Sequence, residues 1–307
     1  MPISKKIIDG NLISNIFKNK MQLKIKKKIQ EGYRPPCLAV ILVGNNSSSL
    51  IYIQNKKKAC EQVGVLSKNW FLSENTKEID LINLIQSLNR NPLIDGILVQ
   101  IPLPKNIDPK KIFQSIDPKK DVDGFHPYNA GCLLQKIPKF RPCTPKGIML
   151  LLKYYNINMY GLHAVILGAS NIVGRPMCME LLLAGCTTTV THRFTKNLYE
   201  HINKADLLIV AIGKSNFVQG HWIKKESIII DAGINKLPDG SITGDVDFNS
   251  SISQCSLITP VPGGVGPMTI TALLLNTIKA YQKNIYKKNH DVLNSASFTC
   301  TPNESNL

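Results

Sequence analysis

The chain of 307 residues is long enough for about two domains of ~100–200 residues each. Apolar residues make up 43% of it and charged residues 19%, which is typical of a folded protein and excludes one that is disordered throughout. Its longest apolar run, Cys37–Val43, is far shorter than the ~20 residues that cross a bilayer, and Met1–Lys20 lacks the apolar block of a secretory signal. We therefore expect no membrane partner and no secretion.

The formal net charge of +16 raises the question of a polyanionic partner. Only five of the 37 basic residues are arginines, and the lysines are dispersed, whereas nucleic-acid surfaces combine clustered arginines with interleaved aromatic side chains. The charge indicates an ordinary lysine-rich surface, which is also able to attract a small polyanion, and no nucleic-acid partner. The eight cysteines and six histidines include no Cys-x-x-Cys or His-x-x-x-His pair, so we expect reduced core thiols and no metal.

A first series of strands and helices occupies the chain before residue 101. Apolar runs separated by helical patterns indicate buried parallel strands joined by crossover helices. The pattern predicts strands at Leu38–Val43, near Lys68–Leu72 and at Ile94–Gln100, with helices up to Gly64 and near Lys77–Asn89. Residues 102–145 are rich in proline, aspartate and lysine, and we predict functional loops there with one short helix near Asp108–Ser115.

A second alternating series follows and predicts a second α/β domain. Its strands are predicted at Ala164–Leu167, Thr187–Thr191, Leu207–Ile212 and Ser227–Asp231, with a helix at Val173–Ala184 and another from Thr259–Thr269 to about Tyr286. Residues 287–307 have few large apolar side chains, and we predict a disordered tail. The fold class is α/β, with two α/β domains flanking a cleft in which ligands bind beyond the carboxyl ends of the strands.

A glycine-containing loop, Gly168-Ala-Ser-Asn-Ile-Val-Gly174, joins the strand Ala164–Leu167 to the next helix. Gly168 permits a tight turn, Ser170 offers a hydroxyl to phosphate, and Gly174 lets the helix start close to the strand, where free N–H groups favour an anion. The loop departs from G-x-G-x-x-G and on its own is equally compatible with a plain strand–helix turn. The order strand, loop, helix, strand favours a Rossmann-type dinucleotide-binding domain.

The end of the following strand distinguishes between the two nicotinamide cofactors. An NAD enzyme places a carboxylate there for the ribose 2′-hydroxyl, but Thr187–Thr191 runs into His192-Arg193-Phe-Thr without an acid. Arg193 is placed to pair with a 2′-phosphate, assisted by Ser170, although a lone arginine is more commonly a solvated surface charge. The sequence favours NADP.

Polar residues stand out at three places in the first half. Tyr52 and Lys56 share one face of a helix, and Ile53, Cys60 and Val63 are predicted to pack inward from another face. Gln100 closes a buried strand, and Asp123 precedes a glycine in a loop. Each has an ordinary alternative as a surface pair, a satisfied strand-edge amide or a turn residue. Short-chain dehydrogenases also use Tyr-x-x-x-Lys, but after their nucleotide loop, whereas here the pair comes far before Gly168.

Together, six segments in this order resemble bifunctional methylenetetrahydrofolate dehydrogenase/methenyltetrahydrofolate cyclohydrolase of the bacterial type. The resemblance covers roughly the first 285 residues, and the ordered set is specific although no single segment is. The segments are Tyr52–Cys60, Val99–Pro104, Lys120–Pro127, Pro142–Pro145, Gly168–Pro176 and Thr259–Thr269.

The resemblance implies oxidation of 5,10-methylenetetrahydrofolate by NADP and hydrolysis of the methenyl product to 10-formyltetrahydrofolate in one shared cleft. The oxidation releases a hydride and no hydroxyl proton, so it requires positioning, whereas the hydrolysis requires a base. Lys56 corresponds to the catalytic lysine of the family and Gln100 to the residue that holds it. Tyr52 corresponds to the aromatic residue that lines the pterin site, and Asp123 to the carboxylate that receives the pterin N–H groups. The resemblance further implies substrate contacts at Pro262, Gly263 and Gly264, and cofactor contacts at Gly168, Ala169, Ser170, Ile172, Arg193 and Ile234.

The resemblance also implies a domain division and an assembly. Residues 1–145 would form the catalytic, folate-binding domain, with the helix at about 268–286 packing back on it, and residues 146–267 the NADP-binding domain. A cytoplasmic homodimer acting on tetrahydrofolate derivatives, polyglutamylated ones included, in purine, methionine and histidine biosynthesis is expected. Some relatives carry arginine where this chain has Ala169, so Arg193, assisted by Arg175, would carry the 2′-phosphate contact. The alternatives are a dehydrogenase without hydrolase activity and a nucleotide-binding module without catalysis.

Overall fold

The computed structural model describes the backbone of residues 6–296 and, within that range, all side chains except those at 47, 48 and 286–296. Its helices are α1 (Gly10–Gln30), α2 (Ser47–Val63), α3 (Glu78–Arg90), α4 (Pro109–Ser115), α5 (Pro127–Leu134), α6 (Cys143–Tyr154), α7 (Gly174–Leu183), α8 (Leu198–Asn203), α9 (Phe248–Ser251) and α10 (Val265–Ala296). Its strands are β1 (Cys37–Val43), β2 (Leu66–Leu72), β3 (Gly96–Val99), β4 (His163–Leu167), β5 (Thr187–Thr191), β6 (Leu207–Val210), β7 (Ile228–Asp231), β8 (Asn235–Lys236), β9 (Ile242–Thr243) and β10 (Leu257–Ile258).

The first sheet has the order β2-β1-β3, with all strands parallel. The central strand β1 is buried along its whole length, which explains why its sequence is an unbroken apolar run. Successive side chains point to opposite faces: Leu38, Val40 and Leu42 pack with residues of α1, α2 and α10, whereas Ile41 and its alternating neighbours pack with α3 and α4. The first sheet is therefore covered on both faces, and β3 lies at one side of it.

The second sheet is also parallel and has the order β10-β7-β6-β4-β5. From β4 the chain moves to one side to form β5 and then crosses to the other side to form β6. In such sheets ligands bind at this reversal of strand order, outside the carboxyl ends. The loop that begins at Gly168 leaves β4 at that point.

The helices α6 and α10 pass from one hydrophobic core to the other. In α10, Met268 belongs to the core of the second sheet, and the segment from Ala272 to Ala280 belongs to the core of the first. The helices pack closely, since a Cβ atom at Gly147 of α6 would lie 2.9 Å from the backbone of Met268. The pair of helices forms the wall between the domains.

The predicted α/β fold with two parallel-sheet domains is confirmed. Two helices differ from the prediction for residues 102–145: α5 was expected to be loop, and α6 begins already at Cys143. Proline is favoured in the first turn of a helix, where it costs no hydrogen bond, and both helices carry proline there (Pro127 and Pro145), so the proline content that indicated loops also starts helices.

The final helix also extends beyond the predicted end at Tyr286. Residues 287–296, which were predicted to be disordered, continue α10. This stretch contains no glycine or proline, and adding residues to an existing helix costs much less than starting one. The rest of the predicted tail, residues 297–307, lies outside the described residues.

Within residues 6–296, no helix has the length and apolar character needed to cross a membrane. The seven cysteines in that part of the chain carry free thiols, six of them buried, while Cys300 lies outside it.

Candidate active site

Lys56 points from α2 toward the carboxyl end of β3. Its Nζ donates a hydrogen bond to Oε1 of Gln100 at 2.8 Å. Lys56 lies three residues after the buried Ile53 and four before the buried Cys60, so it shares their helix face. The prediction that these apolar residues occupy a different face from Lys56 was therefore wrong, because spacings of three and four residues place side chains on one side of a helix.

Hydrogen bonds fix both the backbone and the side-chain amide of Gln100. Its backbone N–H donates to the carbonyl of Ile41 at 2.8 Å, which extends the sheet by one residue beyond β3. Its Nε2 donates to the carbonyl of Ile101 at 2.7 Å. Because the N–H₂ group is used there, the amide oxygen faces Lys56, and the lysine amine is held in one position.

A ring of hydrogen bonds fixes the loop that carries Asp123. The buried carboxylate of Asp121 accepts the backbone N–H groups of Gly124 and Phe125 at 3.1 Å and of His126 at 2.9 Å. Gly124 has φ +76°, and a Cβ atom there would lie 2.6 Å from the backbone nitrogen of Pro142, so only glycine fits. The sequence indicated a turn at Asp123-Gly124, and the structure shows that Asp121 shapes it.

Lys56 and Asp123 influence each other's protonation. Burial lowers the pKa of Lys56, and the nearby carboxyl of Asp123 partly opposes this. Burial raises the pKa of Asp123, and Lys56 partly opposes that shift. The site therefore holds an amine that loses its proton more readily than a surface lysine.

A cavity of about 150 Å³ lies at this point and is lined by residues of both domains. Lys56, Gln100 and Asp123 line it from the first domain, and Ile172 and Val173 line it from the loop after β4. Its other lining residues are Val99, Ile101, Phe125, Thr144 and Thr269.

Tyr52 lies one turn before Lys56 on α2 and is half-buried. Burial raises the pKa of its phenol. Within the described part of the chain it is not among the residues that line the cavity. The structure thus brings three of the four predicted catalytic residues together and places Tyr52 beside them.

Two glycines shape the loop after β4. Gly168 has φ +109°, and a Cβ atom on it would lie 2.2 Å from the carbonyl oxygen of Ala211. A Cβ atom on Gly174 would lie 1.8 Å from the carbonyl oxygen of Gly168. Gly174 therefore allows α7 to start directly against the end of β4, which is the role that the third glycine of a dinucleotide loop performs.

Ser170 organises the start of α7. Its Oγ accepts the backbone N–H of Val173 at 3.1 Å, which leaves its own proton to donate. The loop around it is half-buried at Ala169 and exposed at Ser170. The loop thus combines a hydroxyl donor with a helix start, two features that suit a phosphate.

The remaining predicted cofactor residues lie at the same edge of the second sheet. Arg193 follows β5, is exposed, and has its guanidinium 4.6 Å from the ring centre of Phe194. Ile234 follows β7 and is 45% exposed. The loops after β4, β5 and β7 leave the same edge of a parallel sheet, with β6 between β7 and β4, so their residues can contact one extended ligand.

The predicted substrate residues Pro262, Gly263 and Gly264 precede α10. Pro262 is exposed, whereas Gly264 is buried. Gly264 packs against α1, because a Cβ atom on Gly10 would lie 1.8 Å from its carbonyl oxygen. Internal packing therefore already requires a close approach of α1 to this turn, and Pro262 is the exposed residue of the three.

Two threonines that sequence reasoning did not single out line the cavity. The hydroxyls of Thr144 and Thr269 are 3.1 Å apart and join the start of α6 to α10. Both belong to segments that carry the resemblance, Pro142–Pro145 and Thr259–Thr269, so the segments were found but not the individual side chains.

Comparisons with known proteins cover both domains. A family model described as tetrahydrofolate dehydrogenase/cyclohydrolase, catalytic domain, matches residues 8–123, and the corresponding NAD(P)-binding domain model matches residues 142–285. Among solved structures, the bifunctional methylenetetrahydrofolate dehydrogenase/cyclohydrolase from Campylobacter jejuni is 47% identical, covering 90% of this chain and 98% of that one, with a TM-score of 0.88. The 5,10-methylenetetrahydrofolate dehydrogenase of the silkworm Bombyx mori is 34% identical (92% and 99% covered, TM-score 0.87). The Trypanosoma brucei dehydrogenase-cyclohydrolase, solved with NADP and an inhibitor, is 30% identical (91% and 98% covered, TM-score 0.87).

Proposed function

We infer that this chain, which belongs to the tetrahydrofolate dehydrogenase/cyclohydrolase family, carries out both reactions in the cleft between its two sheets. The family and the bifunctional enzyme class predicted from the sequence are confirmed by the two domain models and the bifunctional C. jejuni relative. The chain oxidises 5,10-methylenetetrahydrofolate to the methenyl cation and hydrolyses that cation to 10-formyltetrahydrofolate. We propose the residue roles below.

One observation carries the proposal. The amine of the half-buried Lys56, held by Gln100, lines the same cavity as Asp123 and as Ile172 and Val173 of the nucleotide loop. A carbon bound there is within reach of the amine and lies beside the loop that would hold the dinucleotide. One binding site is therefore sufficient for both reactions, which take place on the same carbon.

The chain fits a dinucleotide at the second sheet. Gly168 and Gly174 lack the Cβ atoms that would close the loop, Ser170 offers a hydroxyl, and the end of β5 carries Arg193 where an NAD site would carry an acid. The T. brucei relative holds NADP, and we propose NADP as the cofactor here. When bound, its nicotinamide accepts the hydride from the methylene carbon.

Asp123 orients the folate for the oxidation. The pterin presents an amino group and a ring N–H on one edge, and two carboxylate oxygens can accept both. Loss of hydride from the carbon between N5 and N10 leaves a delocalised amidinium cation, so no side chain has to remove a proton. Positioning by Asp123 and exclusion of bulk water by the apolar lining (Val99, Ile101, Phe125) are the contributions required of the chain.

Lys56 acts as the base in the hydrolysis. Water adds to the cationic carbon and transfers one proton to the neutral amine of Lys56. The C–N5 bond then breaks as the hydroxyl of the adduct loses its proton and becomes the formyl carbonyl. Of the two protons of the water, one ends on N5 and the other leaves to solvent, which restores the neutral amine of Lys56, and the formyl group remains on N10. Burial already lowers the pKa of Lys56, and a bound cation lowers it further because two positive charges repel.

The alternative function, a dehydrogenase without hydrolase activity, does not explain why Lys56 is desolvated. A buried amine is costly, and its bond to Gln100 serves no part of hydride transfer. We further propose a cytoplasmic homodimer, formed through the nucleotide domain, that acts on polyglutamylated folates and supplies purine, methionine and histidine biosynthesis.

Separate assays of the two reactions test the assignment of Lys56. In Lys56→Met, hydrolysis of methenyltetrahydrofolate should fall by about 10³-fold or more, as expected for loss of a general base. Oxidation of methylenetetrahydrofolate should fall much less. Lys58→Met, an exposed lysine on the same helix, is the matched control and should retain both activities. Undiminished hydrolysis in Lys56→Met would remove Lys56 from the role.

A further inference from the structure

Asn276 of α10 holds the peptide that precedes Asp123. Its side chain is 1% exposed. Its Nδ2 donates to the carbonyl of Val122 at 2.7 Å and to the carbonyl of Arg141 at 3.0 Å. These two carbonyls lie in segments that are distant in sequence, and one amide group ties them together.

Both tied segments enclose Asp123. Val122 is its neighbour on one side, and Gly124 on the other side packs against Arg141 and Pro142, with its missing Cβ 2.6–2.9 Å from their backbone atoms. The bonds from Asn276 therefore fix the backbone before Asp123 directly and the backbone after it through the 141–142 segment.

Lys146 of α6 sets the orientation of the Asn276 amide. Its Nζ donates to Oδ1 of Asn276 at 2.8 Å, so the amide nitrogen must face the two carbonyls. Burial lowers the pKa of Lys146 to about 8, and the amine can donate a hydrogen bond in either protonation state. The contact joins α6 to α10 at the wall between the domains.

We propose that Asn276, oriented by Lys146, is a positioning residue that sets where the Asp123 carboxylate meets the pterin. This inference rests on the role proposed for Asp123. Asn276 lies outside the residues that line the cavity in the described part of the chain, so it acts through the backbone on either side of Asp123. Its effect is on folate binding in both reactions and leaves NADP binding unchanged.

The test is the split between KM and kcat in Asn276→Leu, which keeps the size of the side chain and removes the two donors. Loss of two hydrogen bonds that position a ligand group predicts a rise of about tenfold in the folate KM of both reactions. The NADP KM should stay within about twofold, since the loop after β4 is untouched. Thr277→Val is the matched control, because this buried neighbour donates its hydroxyl to Leu273 in the same helix; its folate KM should not change.

Lys146→Met gives a second, milder variant should Asn276→Leu fold poorly. In this variant the Asn276 amide keeps its two donors but is no longer held in one orientation. A rise of about threefold in folate KM is expected for one weakened hydrogen bond. A loss of kcat with unchanged folate KM in both variants would indicate a purely structural network and would overturn the proposal.

A double-mutant cycle with Asp123→Asn separates this inference from the proposed function. If Asn276 acts through Asp123, adding Asn276→Leu to Asp123→Asn should raise the folate KM little further. Full additivity would show an effect independent of Asp123 and would overturn the inference alone. An unchanged folate KM in Asp123→Asn itself would overturn the role of Asp123 and the inference that depends on it.

Discussion

The two sides of the cleft use polar groups in opposite ways. On the folate side, Lys56 and Gln100 are bonded to each other, and the loop of Asp123 is fixed by Asp121. On the nucleotide side, Ser170 and Arg193 are exposed at the ends of strands. Groups that perform chemistry gain from being fixed before the ligand arrives, whereas groups that bind a charged ligand gain from access to solvent and from long reach. Substitutions of the base and of the glutamine that holds it should therefore affect rate, and those on the nucleotide side should affect affinity for the cofactor.

Gln100→Met should give the largest effect predicted from this contrast. The variant keeps a side chain of similar length and removes the oxygen that accepts from Lys56 at 2.8 Å. We expect the maximal rate of hydrolysis to fall about 100-fold, because a general base that is no longer held contributes less. Oxidation by NADP should fall less than tenfold, since it requires no base.

The pH profile of Gln100→Met gives a second readout. Hydrolysis requires the neutral amine, so its rate falls at pH values below the lowered pKa of Lys56. The oxygen of Gln100 stabilises the charged ammonium more than the neutral amine, so its removal should lower that pKa further and move the acid limb to lower pH. A profile that does not move, or one that moves to higher pH, would contradict the hydrogen bond as the means of control.

The longer strands of both sheets could be located in the sequence, whereas the shortest strands and one helix start could not. The strands β1, β4, β6 and β7 were predicted closely, because a buried parallel strand is a short apolar run with defined ends. The edge strand β5 was predicted from its β-branched residues. The two-residue strands β8, β9 and β10 have no such run. The start of α6 at Cys143 was hidden by flanking prolines, which occur both in loops and in first turns of helices.

For the site, motif resemblance found residues that line the cavity, but not the residues behind them that fix the loop of Asp123. Lys56, Gln100 and Asp123 stand in recognisable segments, and the structure brings them together. Asn276 donates to the backbone carbonyls of Val122 and Arg141, and Lys146 donates to the amide oxygen of Asn276. Every residue has a backbone carbonyl, so a hydrogen bond to that group does not restrict which residue type stands there. No pattern in the sequence therefore indicates such a bond.

Gly174→Ala should sharpen the contrast from the nucleotide side. The added Cβ would lie 1.8 Å from the Gly168 carbonyl oxygen, so α7 has to move away from β4. Overpacking of this kind costs about 2 kcal/mol of unfolding free energy, which denaturant titration measures. The NADP KM should rise about 30-fold, because the displaced start of α7 no longer presents its N–H groups to the phosphate, and hydrogen bonds to a charged group contribute about 2 kcal/mol.

Gly131→Ala is the control for this substitution. Nothing lies within 4 Å of a Cβ atom added at this helical position, so alanine should stabilise α5 by about 0.5–1 kcal/mol and leave the NADP KM unchanged. A Gly174→Ala variant with normal NADP affinity would show that the close start of α7 is a packing feature only.

Arg193→Ala should give the smallest effect, and one confined to a single cofactor. The exposed guanidinium can form charge-assisted hydrogen bonds with the 2′-phosphate of NADP, but solvent weakens them. We expect the KM for NADP to rise about tenfold and the KM for NAD to change less than twofold, with the NADP effect shrinking as ionic strength rises. Lys196→Met, which removes an exposed charge from the same loop, controls for general attraction of anions and should affect both cofactors little. Equal effects of Arg193→Ala on NADP and NAD would mean that this arginine does not recognise the 2′-phosphate, and selectivity would have to come from the missing carboxylate at the end of β5.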